Sequence, residues 1–436
     1  MGADDRPLTG RFRADGAPLS LAEYERAGGY AGLRRALTTM TPKAVVAEVD
    51  RANLRGRGGA GFPAGLKWKS IPANAAPTRY VITNADEMEP GAFKDRVLME
   101  GDPHQLIEGM AIAAYAVQAQ TGYVFLRYEY RQAARALTTA LAEAQRAGYL
   151  GDHVLGSSWS FALHLHVSAG RYICGESSAL LNAMEGRRPV PRATLPRATT
   201  AGLWGAPTVV NNVETLCNVP HIITRGADWF RALGIGPPSR RGAVDGGTKL
   251  YTLSGRVNRP GWCERPMGTP LRVLIEEQGA GMRNGFALRA VQPGGASTGF
   301  LGPAGLDVPM DFDSPEQYRS RLGTGTVMVY DDRTCPIGVL HNLLHFFAQE
   351  SCGWCTPCRD GLPWVEQLLF DLEAGRGRVE DLEILAQHVD ALGPGHTFCA
   401  LAPGAMAPLE TGLTLFRDEF ERHVREGRCS YLAGKA

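Results

Sequence analysis

A chain of 436 residues is longer than one hydrophobic core usually serves, so about three domains are expected. Its 46 basic and 45 acidic residues almost cancel, which excludes a net field steering it to nucleic acid or an anionic membrane. The opening MGADDRPLTGRF is no secretory signal, and no apolar run approaches the ~18 residues of a spanning helix. A soluble, cytoplasmic chain is therefore expected, one that meets a membrane only by docking on something already there.

The Thr41-Pro42 pair predicts a helix N-cap followed by proline at the first helical position, with Val45, Val46 and Val49 on the apolar face. Further on, RYVITNADE (79–87) predicts a buried strand, 104–120 a helix, YVFLR (123–127) a strand and 130–148 a helix. This βαβα order argues for a mostly parallel sheet with crossover helices. FALHLHV (161–167) alternates as a strand, with Phe161, Leu163, Leu165 and Val167 on one face. His164 and His166 share the other face, read as polar strand surface in preference to a metal pair because no further ligand is spaced for one. The glycines, prolines and like charges of 234–247 mark a linker. Beyond it TKLYTLSG, GWCERP, the helical PLRVLIEEQG and FALRAV give ββαβ, the order of a small β-grasp module. After Pro336, helical stretches near 337–349, 362–374, 379–392 and 408–426 suggest a four-helix bundle.

Nine cysteines is an odd number, and Cys174, Cys217, Cys263, Cys335 and Cys429 show no ligand spacing, which suits reduced thiols better than a disulfide framework. The other four behave differently. ESCGWCTPCRDGLPW places Cys352, Cys355 and Cys358 as C-x2-C-x2-C, the spacing with which [4Fe–4S] clusters are commonly held when a distant fourth thiolate joins. Cys399, in GHTFCALAPG, is that candidate, ahead of Cys429 near a terminus expected to fray. A structural zinc site is the alternative.

LRGRGGAGFPAGLKW (54–68) matches G-x-G-x-x-G at Gly56, Gly58 and Gly61, yet a helix precedes it where a dinucleotide fingerprint needs a strand. Its glycines still let backbone N–H groups approach a phosphate or a planar ring, beside the charges of Arg55, Arg57 and Lys67. A flexible surface loop is the plain alternative. NADEMEPGAFKDR (84–96) gathers Asp86, Glu87 and Glu89 directly after a strand, where open α/β sheets bind ligands, although with Lys94 and Arg96 it also reads as a solvated ion-pair network. YICGESSALLN (172–182) repeats the strand–glycine–helix logic, and VVNNVETL (209–216) offers Asn211 and Asn212, whose amides suit the polar edge of a flavin.

In order and over nearly the whole chain, RGRGGAGFP, NADEMEPG, ICGE, VNNVETL and ESCGWCTPCRDGLPW resemble the flavin-bearing, NADH-oxidising subunits of bacterial respiratory complex I. The resemblance implies a multidomain α/β chain: an N-terminal helical segment with an FMN/NADH-binding domain over 1–240, a ubiquitin-like β-grasp module over 247–332 and a helical bundle with one [4Fe–4S] cluster over 336–436. It implies FMN contacts at Gly56, Arg57, Gly58, Lys67, Asn84, Asp86, Glu87, Tyr172, Gly175, Glu176, Asn211, Asn212 and Thr215, and nicotinamide-cofactor contacts at Phe62, Lys67 and Glu89. Cluster ligands fall on Cys352, Cys355, Cys358 and Cys399. No side chain is assigned as acid or base. The implied partners are a thioredoxin-like [2Fe–2S] subunit and a large multi-cluster subunit, holding the chain on the cytoplasmic face of the inner membrane only through the complex. A diaphorase subunit of an NAD-linked hydrogenase or formate dehydrogenase, and a cluster-bearing relay or assembly subunit without NADH oxidation, are the alternatives. The chain departs from the family where CGEETAL and KPPFPA become CGESSAL and TLPRA, which puts Ser177, Thr194 and Arg197 on the nicotinamide side and leaves the preference between NADH and NADPH open.

Overall fold

The computed structural model describes residues 6–72, 78–240 and 242–431. Residues 1–5, part of the opening segment, and Arg241 of the expected linker lie outside the described residues. The chain divides into two compact units: Met1–Met88, Ala92–Tyr251 and Trp262–Thr269 form one, and Glu89–Gly91, Thr252–Gly261 and Pro270–Ala436 the other.

In the first unit, helices α1 (Leu21–Arg26), α2 (Ala31–Thr39), α3 (Pro42–Arg51) and α4 (Ala64–Lys69) precede strand β1 (Tyr80–Ala85). There follow α5 (Lys94–Gly101), α6 (Pro103–Val117), β2 (Thr121–Leu126), α7 (Arg131–Arg146), β3 (Ala162–Val167), α8 (Ser177–Met184), β4 (Thr208–Asn212), α9 (Val213–Arg225) and α10 (Ala227–Ala232). The first turn of α3 forms as its sequence predicts: the Thr41 hydroxyl accepts the Ala44 N–H at 3.2 Å, Pro42 stands first, and Val45 and Val49 are buried.

The strands pair in parallel in the order β3-β2-β1-β4. Val81, Ile82, Val209 and Val210 are all buried, as the strands of a sheet covered on both faces must be. The chain steps outward from β1 through β2 to β3, then returns to the opposite flank of β1 for β4. That reversal makes the carboxyl ends of β1 and β4 the topological switch point, the edge at which such sheets take ligands in a crevice. His164 and His166, on β3, rest against Tyr123 and Phe125 of the neighbouring strand at ring distances of 5.4 and 5.3 Å.

Helix α9 carries an interior proline, Pro220, which has no N–H to give to the Leu216 carbonyl one turn earlier. Gly109 of α6 lies against that carbonyl so closely that a Cβ there would stand 2.1 Å from its oxygen. The two helices therefore approach backbone to backbone.

The second sheet has the order β6-β5-β8-β7, from β5 (Thr248–Gly255), β6 (Gly261–Pro266), β7 (Leu288–Gln292) and β8 (Thr326–Asp331). β8 runs parallel to β5 and antiparallel to β7. Between β6 and β7, helix α11 (Leu271–Val273) continues as a π turn over Leu274–Gln278. The ββαβ expectation is thus one strand short: TVMVYD is β8, with Val327 and Val329 buried while Met328 and Tyr330 are only partly so, a short period-two run. Five helices, not four, follow among the described residues: α12 (Pro336–Glu350), α13 (Thr356–Glu373), α14 (Val379–Ala391), α15 (Leu401–Leu415) and α16 (Arg417–Glu426). The expected starts at 362 and 408 fail for one reason. Pro363 and Pro408 stand inside α13 and α15 and not at their ends, while the real break comes at Phe416, a residue with no breaking chemistry of its own.

Candidate functional site

β1 and β4 run in register from Tyr80 opposite Thr208 to Asn84 opposite Asn212, so the amides ending both strands lie side by side. β4 passes into α9 with no intervening loop, and the Asn212 side chain caps that helix by accepting the Glu214 N–H at 3.0 Å. The positive end of α9 therefore opens on the crevice, suited to a phosphate or an electron-rich ring edge.

The glycine-rich loop is laid across this helix start. The Arg57 N–H donates to the Thr215 hydroxyl at 2.8 Å, and a Cβ on Gly58 would stand 3.1 Å from the Asn212 Cβ, so a side chain there would crowd the cap. The loop closes through the Gly56 N–H to the Phe62 carbonyl at 2.9 Å. From α4, Lys67 donates to the Val210 carbonyl at 2.9 Å, with its ammonium 5.9 Å from the centre of the half-exposed Phe62 ring. Burial pushes Lys67 down to about 8. Its neighbour Trp68 donates to the Asn211 amide oxygen at 2.9 Å. Asn84 donates to the Gly175 carbonyl at 2.9 Å, which ties the Tyr172–Gly175 turn to the end of β1, and the Ser168 hydroxyl meets Asp86 at 3.2 Å. Gly56, Arg57, Gly58, Phe62, Lys67, Asn84, Asp86, Gly175, Asn211, Asn212 and Thr215 are thus linked, through these bonds and strand pairings, around one strand edge.

The acids are already occupied. Glu87 accepts from the Asp95 and Arg96 N–H groups at 3.1 and 3.2 Å, capping α5, and from the Tyr130 hydroxyl at 3.0 Å. Burial, then the neighbouring Asp95, pushes its carboxyl up. Glu176 caps α8 in the same way, accepting from Ser178 and Ala179 at 3.0 and 2.8 Å. Beneath Asn212 runs an ion network that is buried and not solvated: Lys94 lies 2.7 Å from Asp95, 3.0 Å from Glu214 and 3.4 Å from the Asn212 amide oxygen, and Asn212 donates back to Asp95 at 2.6 Å. Lys249 adds a second cation 3.0 Å from Glu214. Burial alone would raise Glu214, but Lys249, Lys94 and Arg57 outweigh it and hold the carboxyl down to about 2. Lys249 goes the other way, down to about 8, since burial with the Lys94 and Arg57 charges outweighs its one partner. Asp95, Glu214 and Lys249 have no role assigned from the sequence, though each lies in a string singled out there, and only the fold brings them together.

Of the positions placed on the nicotinamide side, Ser177 begins α8 and is partly exposed, while Thr194 and Arg197 are exposed. Glu89 belongs to the second unit, where its carboxylate accepts the Ser297 N–H at 2.7 Å.

Also in the second unit, Cys352 and Cys355 lie between α12 and α13, Cys355 standing as N-cap and Cys358 in the first turn, and Cys399 lies just ahead of α15. Their sulfurs converge. Cys358 is buried, its thiol pushed up to about 12 by that burial and then by Cys355, Cys399 and Cys352, against a Ser351 hydroxyl 3.2 Å away that favours the thiolate. Four gathered thiolates repel one another unless a cation lies among them, and this soft all-sulfur donor set fits an iron–sulfur cluster. The rings of Trp354 and Phe398 meet edge to face at 6.5 Å beside Cys355 and Cys399.

A flavin-type crevice in one unit and a four-thiolate centre in the other define an iron–sulfur flavoprotein. Two family models match accordingly: the Nuo51 FMN-binding domain over residues 49–221 and the NADH-ubiquinone oxidoreductase-F iron-sulfur binding region over 338–423. The F subunits of NADH-quinone oxidoreductase from Salmonella typhimurium and from Escherichia coli K12 are each 50% identical over 424 residues, 97% of this chain and 94% of theirs. The chain belongs to the family of NADH-quinone oxidoreductase F subunits, oxidoreductases with an FMN-binding domain and a 4Fe–4S region. Among solved structures, the NAD+-reducing [NiFe]-hydrogenase in its H2-reduced state aligns with a TM-score of 0.82 at 36% identity, covering 94% of this chain and 67% of that one. Among the described residues no helix is long and apolar enough to cross a membrane.

Proposed function

We propose that this chain is the NADH-oxidising subunit of an NADH:quinone oxidoreductase, with FMN held at the β1/β4 crevice and a [4Fe–4S] cluster on Cys352, Cys355, Cys358 and Cys399. FMN supplies the exchange between a two-electron hydride donor and a one-electron acceptor, which neither a nicotinamide nor a cluster can make alone. The chain's own residues then have separable tasks. Asn84, Asn211 and Asn212 present amides to the polar edge of a flavin; the loop N–H groups from Gly56 to Gly58, the start of α9 and the Lys67 ammonium supply positive potential; the missing side chain at Gly58 leaves room for close approach. Glu87 and Glu176, busy as helix caps, act through the backbone they fix. Phe62 and Glu89 serve the nicotinamide, with Tyr172 and Thr215 lining the flavin, and no residue moves a proton. Catalysis is then positioning and electrostatics.

In the same reading the functional divisions are 1–240, 247–332 and 336–436. The sheet order, with β8 parallel to β5 at its centre and a helix between β6 and β7, supports a β-grasp module for the second. The partners are a thioredoxin-like [2Fe–2S] subunit and a larger multi-cluster subunit on the cytoplasmic membrane face. The hydrogenase likeness supports a diaphorase reading as the alternative, at 36% identity against 50%. The observation that carries the proposal is that family models for an FMN domain and a cluster region each fall on a unit bearing the matching donor set. Anaerobic titration of the purified protein tests it: one FMN and four irons per chain, with the flavin bleached by NADH, are expected, and co-purification from native membranes should bring the two cluster subunits. A flavin-free protein, or flavin unreduced by NADH, supports the relay reading instead.

A further inference from the structure

Three residues outside every site above gather in the second unit. Cys335, His423 and Cys429 bring Sγ, a ring nitrogen and Sγ within 4.8 Å of one another. They come from three places: Cys335 is the N-cap of α12, His423 lies in the last turn of α16, and Cys429 follows that helix. His423 and Cys429 are buried and Cys335 is partly so.

Each donor is held as a ligand would be. The Nδ1 of His423 lies 2.8 Å from the Glu419 carbonyl, which accepts only from an N–H, so that nitrogen carries the proton and Nε2 is left with its lone pair. Nε2 points at Cys335 Sγ across 3.4 Å. The edge between a sulfur and a nitrogen of a tetrahedron around zinc, from bonds of about 2.3 and 2.0 Å, is about 3.5 Å. Cys335 Sγ accepts the Gly338 N–H at 3.4 Å, which fixes the sulfur at the start of the fifteen-residue helix α12. The segment bearing Cys429 is seated and not frayed. Gly375 packs against the Gly427 carbonyl so tightly that a Cβ would stand 2.1 Å from it, the Tyr431 ring lies over His423 at 6.5 Å and 20°, and the Tyr431 hydroxyl donates to Glu419 at 2.6 Å. Glu419 thus fixes the imidazole through its carbonyl and the closing tyrosine through its carboxylate, the kind of support that metal-bound histidines usually have.

We propose that Cys335, His423 and Cys429 bind a zinc ion that clips the start of α12 to α16 and the chain after it, separate from the iron–sulfur centre. Two thiolates and a neutral imidazole are zinc's usual donors, with water as fourth ligand. Binding releases the two thiol protons and leaves every oxidation state unchanged.

The test is metal analysis of the purified full-length holoprotein after dialysis against metal-free buffer, reading zinc and iron separately. About one zinc per chain is expected, retained in Cys399→Ala and lost in Cys335→Ser and Cys429→Ser while iron is kept. Zinc-edge X-ray absorption of the unmutated protein decides the matter even if those variants misfold: two sulfurs near 2.3 Å and one imidazole nitrogen near 2.0 Å are expected. Zinc that stays in both serine variants, an edge spectrum without sulfur, or a wild type that takes up no zinc after anaerobic reduction each overturns the proposal. So does a Cys335–Cys429 disulfide in protein purified without oxidant.

Discussion

In the first unit the chain supplies its own counter-charges: Glu87 and Glu176 are spent on helix caps, Lys94 on Asp95 and Glu214, and Asn212 on both a cap and Asp95. In the second unit Cys358 has one hydroxyl beside it and otherwise faces three more sulfurs. The strand edge of that first unit is held by bonds within the protein. A nest of thiols becomes a defined structure only with a cation at its centre. The two regions should therefore fail differently, and substitution can show it.

The sharpest break is Cys399→Ala, which is expected to abolish cluster iron and sulfide while flavin content stays near one per chain; unchanged iron in this variant would sink the ligand assignment. Glu214→Gln attacks the other side of the comparison. It leaves Lys94 and Lys249 facing a neutral amide in a buried site, a loss of about 3 kcal/mol read by chemical denaturation. The sign with pH follows from its depressed carboxyl. Folded at about 2 against an ordinary 4.5, Glu214 contributes stability above pH 4.5 and loses it as pH falls toward 2. The variant should show a flatter acid limb, and an unchanged slope would remove Glu214 from the account.

Lys67→Met has a smaller effect. Loss of the ammonium beside Val210 is expected to weaken FMN binding to the flavin-stripped protein about 10-fold at pH 7, the value of one charge-assisted hydrogen bond. Because burial lowers Lys67 to about 8, the gap between wild type and variant should close above that pH. Equal affinities at pH 7 would exclude the role. Smallest is the paired reversion Ser177→Glu with Arg197→Phe. Arg197 is exposed, so screening limits its attraction for a 2′-phosphate, and the ratio of kcat/KM for NADPH over NADH should fall only about 2- to 5-fold. A constant ratio makes these departures neutral.

What the sequence made legible followed contiguity. The glycine loop, the strand-end acids, the paired asparagines and C-x2-C-x2-C are each local strings whose residue types state their chemistry, and β1 with its helices followed from period and length. Lys94, Glu214 and Lys249 lie in three separate strings that were each singled out, yet they were not legible as a unit, because they meet only after β4 returns to the flank of β1. His423 and Cys429 share no signature with Cys335, since their common site depends on where α12 begins and α16 ends. β8 is as long as β1, so its length is not what hid it, and Pro363 and Pro408 misled because proline at an interior position removes one hydrogen bond without ending a packed helix.

The junction at Asn212 has a mechanical side. β4 ends at Asn212 and α9 begins at Val213, so the position of α9, which packs beside α2 at Pro220, bears directly on the strand-end amides. Gly32 of α2 bears on that helix: a Cβ there would press to 2.9 Å from the Pro220 carbonyl. A methyl group at Gly32 would thus press on the helix that Asn212 caps, so the placing of the paired amides is partly set from α2.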